Sequence, residues 1–126
     1  MTDVSPIIPA GRQVIETYGG GGFRISGERY EHSVLVEAEQ TRAWDVTEWD
    51  QVAAATLASL GASDTQPKTL LIGTGMKQQF PSRAFRQELR AAGLVIETMD
   101  TGAACRTYNI LMAEGREVAA ALIAVE

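Results

Sequence analysis

Val118 to Val125 is an unbroken run of eight apolar residues, and it constrains this chain more than any other feature. As a helix it is too short to cross a bilayer, which takes about 20 residues. As a strand it is too apolar to wet one face, because half-solvated strands alternate hydrophobic and polar side chains. With Glu117 it therefore reads as a strand buried on both sides. The neighbours that bury it must come from a chain of 126 residues. A single domain of that size hides about two thirds of the surface its unfolded form exposes.

The preceding residues supply those neighbours. Thr69 to Ile72 is a short apolar run ending in Gly73-Thr74-Gly75, hence another buried strand. Ser82 is placed to cap a helix running through Ala92, with Phe85, Leu89 and Ala92 as its inward stripe and Gly93 as its stop. Leu94 to Met99 is the next strand. Asp100-Thr101-Gly102 leads into a helix carrying Ala104, Tyr108, Leu111 and Met112, which Gly115 ends. Strand, helix, strand, helix, strand with short links predicts a parallel or mostly parallel sheet with right-handed crossovers.

The first half reads differently. Residues 1–12 hold Pro6 and Pro9 with little periodicity and form a loosely ordered lead-in, leaving 13–126 as a single α/β domain. Gly19 to Gly22 are four consecutive glycines between apolar residues, the composition of a hairpin reversal. Gly27 marks a second turn. Ser33 to Glu37 is a strand with Val34 and Val36 on one face and Leu35 on the other. These hairpins either extend or cap the main sheet. Thr47, with Asp50 three residues on, predicts a capped helix start. Trp49, Val52, Ala53, Thr56, Leu57 and Leu60 form its buried side, Gly61 its stop, and Trp44 and Trp49 join the core.

Eleven basic and sixteen acidic residues give a net charge of −5, which makes nucleic acid and anionic membrane poor partners. The imbalance lies in the first 63 residues, with nine acids and four bases against seven of each in the remainder. Within the second half Lys68, Lys77, Arg83, Arg86 and Arg90 gather against Glu88 alone. That cluster is a solvated helix face, or a patch for a small anion or an acidic partner. A single cysteine, Cys105, excludes an intrachain disulfide and fits a reducing compartment such as the bacterial cytoplasm. With His32 the only histidine, neither a metal site nor a bound cofactor is expected.

Ligands of open α/β sheets collect beyond the carboxyl ends of parallel strands. Two loops here leave such ends: Gly73-Thr74-Gly75 with Lys77, and Asp100-Thr101. If their strands are neighbours, the loops share one crevice, where backbone N–H groups and Lys77 could meet an anion. Cys105 and Arg106 follow in the first turns of the next helix. A dinucleotide fingerprint is suggested by Gly73-Thr74-Gly75, but Gln78 replaces its third glycine and Pro81-Ser82 starts the helix too late. Cys105 is either a small core side chain or a thiol activated by the helix dipole and Arg106, with His32 the one imidazole available as a base. Tyr108 and Asn109 are placed to hydrogen-bond the glycine loop. No catalytic set is complete.

Three stretches carry a resemblance: Gly73-Thr74-Gly75 after its strand, the block Met99-Asp100-Thr101-Gly102-Ala103-Ala104-Cys105-Arg106-Thr107-Tyr108-Asn109, and Glu114-Gly115-Arg116 before an Ala-rich strand. With Tyr18, Phe23, Arg24 and Trp44, they resemble the small uncharacterised α/β domain family that includes mitochondrial complex I assembly factor 3 and the adipogenesis-associated domain protein. The likeness runs from about Val14 to Ile123. It implies a three-layer fold, in which a central mixed, mostly parallel sheet is flanked by helices, with N-terminal β-hairpins followed by βαβαβ. It implies no settled catalytic residue and no cofactor. Mitochondrial relatives assist assembly of the NADH:ubiquinone oxidoreductase, and bacterial members are linked to membrane-protein insertion and export.

The lead-in is not the Arg-rich, acid-poor segment of a mitochondrial precursor, so a bacterial cytoplasmic member is expected. Two readings of function follow. The first is a non-enzymatic binding or assembly module acting on a protein partner, a respiratory complex or the membrane-protein insertion machinery, with self-association open and no embedding in a membrane. The second is a small-anion or metabolite-binding protein, or an enzyme, using Gly73, Thr74, Gly75, Lys77, Asp100, Thr101, Arg106, Tyr108 and Asn109.

Overall fold

The computed structural model describes residues 11–126, so the expected lead-in falls outside the described residues except for Gly11 and Arg12. The first half forms β1 (Ile15–Gly19), β2 (Gly22–Ile25), β3 (Glu28–Tyr30), β4 (Val34–Val36), β5 (Thr41–Ala43) and α1 (Ala54–Ala58). The second half forms β6 (Thr69–Gly73), α2 (Arg83–Ala91), β7 (Val95–Met99), α3 (Thr101–Ala113) and β8 (Val118–Leu122).

The apolar run does occupy the middle of the molecule. β8 lies at the centre of a five-stranded sheet of order β5-β4-β8-β6-β7, parallel to β6 and antiparallel to β4. β6 and β7 are also parallel. The period of two along β8 divides the core. Val118, Ala120 and Leu122 face one side, packed with Ala104, Tyr108 and Met112 of α3. Ala119 and Ala121 face the other, with Leu57, Leu60 and Leu89 from the α1–α2 side. Small residues on both faces of the central strand let the layers approach closely. The expected three-layer α/β architecture is the one observed.

The front hairpins divide their labour. β4 and β5 extend the main sheet. β1, β2 and β3 form a separate antiparallel sheet whose Ile15, Phe23 and Ile25 join the α3 side of the core. Its reversal uses the glycines as expected, with φ of +113°, +63° and +85° at Gly19, Gly20 and Gly21. Gly21 N–H then donates to the Val125 carbonyl at 2.9 Å, docking the hairpin tip beyond the end of β8.

The helix expected from Thr47 to Leu60 is not continuous. Trp49–Gln51 is a single 3₁₀ turn, capped by Glu48 and Gln51 rather than by Thr47 and Asp50. The chain then extends at Val52, and α1 begins after Ala53, which has no side-chain oxygen to hold the first N–H groups. A second 3₁₀ turn over Ser59–Ala62 takes the place of the stop expected at Gly61. Gly61 matters for closeness instead: a Cβ there would lie 2.2 Å from the Ala92 carbonyl oxygen at the end of α2. Of the side expected to be buried, Leu57 and Leu60 are fully buried and Trp49 and Val52 are half-buried, but Ala53 and Thr56 are exposed, because the break at Val52 turns the chain before α1 begins.

Candidate functional site

β6 and β7 run side by side with Gly73 opposite Met99, so Thr74 and Asp100 leave adjacent tips in the same direction. The two loops are then stitched together. Thr74 N–H donates to the Met99 carbonyl at 2.9 Å, and Thr101 N–H to the Gly75 carbonyl at 2.8 Å. Thr74 Oγ1 donates to the Lys77 and Met99 carbonyls at 2.6 and 3.1 Å and accepts from Gln79 N–H at 3.1 Å. Thr101, fully buried, accepts from Gly75 N–H at 3.0 Å and donates to the Ile123 carbonyl at 2.7 Å.

Each residue type has a local reason. Gly75 takes φ of +104°, which favours glycine. Gly73 leaves room for Thr101, whose Cα would lie 3.0 Å from an added Cβ. Asp100 caps α3, its Oδ1 accepting from Ala103 N–H at 2.9 Å. The donors expected to face an anion, the Thr74 and Gly75 N–H groups, are engaged inside the fold. Lys77, in the same loop, and Arg106, on α3, are exposed. α2 starts only at Arg83, so its N-terminus stands away from the glycine loop.

Arg106 reaches across α3 to Tyr18, donating to its phenolic oxygen at 2.9 Å. The Tyr18 ring lies over Gly102, where a Cβ would sit 2.7 Å from that oxygen. Tyr108 and Asn109 do not tie α3 to the glycine loop as expected. Tyr108 is buried and donates to the Gln13 carbonyl at 3.1 Å, while Asn109 brackets the backbone of Ile15 at 3.0 and 2.7 Å. The helix turn that carries them faces the small sheet instead of the strand tips. The activated-thiol reading of Cys105 also fails. Its side chain is buried, and burial raises its pKa from 9.0 to about 12 despite the Arg106 charge.

Two features escaped the sequence reading. Glu37 is 1% exposed yet carries a carboxylate. Thr65 donates to its Oε1 at 2.8 Å, Gln40 to its Oε2 at 3.1 Å, and Arg42 lies 3.7 Å away. Burial pushes this carboxyl up, but hydrogen bonds from Ser63, Thr65 and Gln40 with the Arg42 charge together outweigh it and hold it below its ordinary value. The second is a cavity of about 560 Å³ at the opposite pole, where α3 ends and β6 and β8 begin, lined by Arg12, Asp64, Pro67, Glu114, Arg116 and Val118 among others. Only Glu114-Gly115-Arg116 gave a signal there.

Residues 15–123 match the family described as a protein of unknown function (DUF498/DUF598). The chain belongs to this family. It is 39% identical over 114 residues to an uncharacterized protein of Rhodobacter capsulatus, covering 90% of this chain and 86% of that one. It is 31% identical over 110 residues to NADH dehydrogenase [ubiquinone] 1 alpha subcomplex assembly factor 3 of Danio rerio, covering 87% of this chain but 63% of that protein. The crystal structure of an outer membrane protein from Bartonella henselae superposes with a TM-score of 0.81 at 37% identity, covering 92% and 98% of the two chains. Among the described residues no helix is long and apolar enough to cross a membrane.

Proposed function

We propose that this domain is a non-enzymatic binding module that assists assembly of a membrane-bound protein complex from the bacterial cytoplasm. Its partner is a subunit of a respiratory complex or of the membrane-protein insertion machinery. The observation that carries the reading is the similarity, over 87% of the chain, to an assembly factor for NADH dehydrogenase. The strand-end geometry agrees with it: Thr74 spends its polar groups on Lys77, Met99 and Gln79, and Gly75 and Thr101 spend theirs on each other, which suits a rigid scaffold. Affinity capture of the tagged chain from a gently solubilised native lysate tests it. Recovery of subunits of one membrane complex supports the reading, and recovery of the chain alone contradicts it.

A second reading keeps the strand tips as a small-anion site, favoured by the exposed cations Lys77, in the loop that meets Thr101 at Gly75, and Arg106, on α3. A ligand that binds only the folded state raises the melting temperature by mass action. A metabolite panel that stabilises the protein, but not a Lys77→Ala/Arg106→Ala variant, supports this reading. A panel without effect removes it.

A further inference from the structure

β7 stands at one margin of the five-stranded sheet, and its outer edge pairs with no other strand among the described residues. Its hydrogen bonds fix which groups face outward. Val95 N–H donates to the Lys68 carbonyl and the Met99 carbonyl accepts from Thr74 N–H, both at 2.9 Å. In a parallel pair the bonded residues alternate, so residues 95, 97 and 99 turn their amides toward β6, while Ile96 and Thr98 turn theirs away. Gln78 Nε2 covers the Thr98 carbonyl at 2.9 Å. The Ile96 N–H and carbonyl and the Thr98 N–H pair with no strand among the described residues. Natural sheets blunt such edges with charge, bulges or covering segments. Here Gln78 covers the Thr98 end and Glu97 places one exposed charge on the strand.

Beside this edge runs a groove of about 250 Å³ between α2 and β7. Arg83, Arg86, Gln87 and Arg90 line it, over the segment Leu94, Val95 and Ile96. Spacings of three and four residues set the three guanidinium groups along one helix face. On the opposite side of the sheet α3 packs chiefly on β6 and β8, and Val95 is left 57% exposed. An added strand would turn alternate side chains toward these two surroundings. One set would meet arginines and the other would meet Val95 and Glu97, whose carboxylate disfavours a second carboxylate on that face.

We propose that the β7 edge receives an extended segment of a partner protein in which carboxylate side chains alternate with β-branched apolar ones. The proposal rests on the protein-binding reading and names the partner's chemistry. Charge complementarity selects this occupant. A second copy paired edge to edge would bring its own arginine row against this one, a like-charge contact that opposes association. An anionic lipid surface supplies charge but no N–H and carbonyl groups to continue the ladder.

The test uses a blocked peptide Glu-Val-Glu-Val-Glu-Val-Glu, its lysine counterpart, the ¹⁵N-labelled chain and an Arg86→Glu/Arg90→Glu variant. The glutamate peptide shifts the Ile96 and Thr98 amides and slows their hydrogen exchange, the lysine peptide does neither, and the variant weakens binding about tenfold or more. No change at Ile96 and Thr98 with about 1 mM peptide, the weak end of specific recognition, overturns the proposal. So does equal binding of both peptides, a dimer that the variant abolishes, or attachment only to phosphatidylglycerol vesicles. A cellular partner still captured by the variant would remove this edge while leaving the protein-binding reading intact.

Discussion

Thr101 Oγ1 lies 3.0 Å from the Gly75 nitrogen and 2.7 Å from the Ile123 carbonyl oxygen, so one buried hydroxyl joins the tip of β6 to the residue after β8. The same residue begins α3, and Asp100 beside it caps that helix. The strand tips are thus a structural knot, with sequence-local caps and long-range bonds meeting at two neighbouring residues.

Thr101→Val keeps the volume but leaves the Gly75 N–H and the Ile123 carbonyl without this partner. Removing one side of a buried hydrogen bond costs about 1–3 kcal/mol. Chemical denaturation of this variant will show a loss in that range or above it, and Thr101→Ser will recover most of it. A loss under about 0.5 kcal/mol, the size of an ordinary surface change, would contradict the knot.

Gly61→Ala tests the contact between the 3₁₀ turn that follows α1 and the end of α2. A Cβ would lie 2.2 Å from the backbone oxygen of Ala92, so the two segments must part. Overpacking of this kind costs about 1–3 kcal/mol, more than the roughly 1 kcal/mol that alanine gains over glycine within a helix. The melting temperature falls; a rise would show that Gly61 serves only as a stop.

Glu37 makes the fold acid-sensitive. Its folded pKa lies below its ordinary 4.5, so its contribution is in place above about pH 4.5 and is lost as pH falls through the lower folded value. Unfolding free energies measured between about pH 5 and about pH 3 fall more steeply for the wild type than for Glu37→Gln. Parallel slopes would mean that the carboxylate titrates normally.

Cys105, buried and with a pKa near 12, holds almost no thiolate at neutral pH. Iodoacetamide will label it only under denaturing conditions. Rapid labelling of the native protein would restore the reactive-thiol reading.

What the sequence disclosed follows physical range. Val118–Leu122 showed its central place because an apolar run allows no wet face, and Ser82 and Asp100 showed the helix starts because capping acts within three residues. The break between Trp49 and Ala54 stayed hidden, since helical spacing of buried residues survives a chain that alternates short helical turns with an extended residue. Partners far along the chain were illegible. Asn109 bonds Ile15 and Thr65 bonds Glu37 across 94 and 28 residues, and no spacing rule reaches that far. The adjacency of Thr74 and Asp100 was legible because strand-end placement is a topological rule, whereas the direction in which Tyr108 points depends on the small sheet that covers α3.

The central claim is that the domain works by holding another protein. Its most direct measurement is the native mass of the chain, at its natural abundance, in extracts from gently lysed cells. The account predicts that the chain travels well above its own 13.6 kDa together with a different polypeptide, and returns toward that mass when the partner is depleted. Migration at the mass of the free chain, or only at multiples of it, would contradict the account.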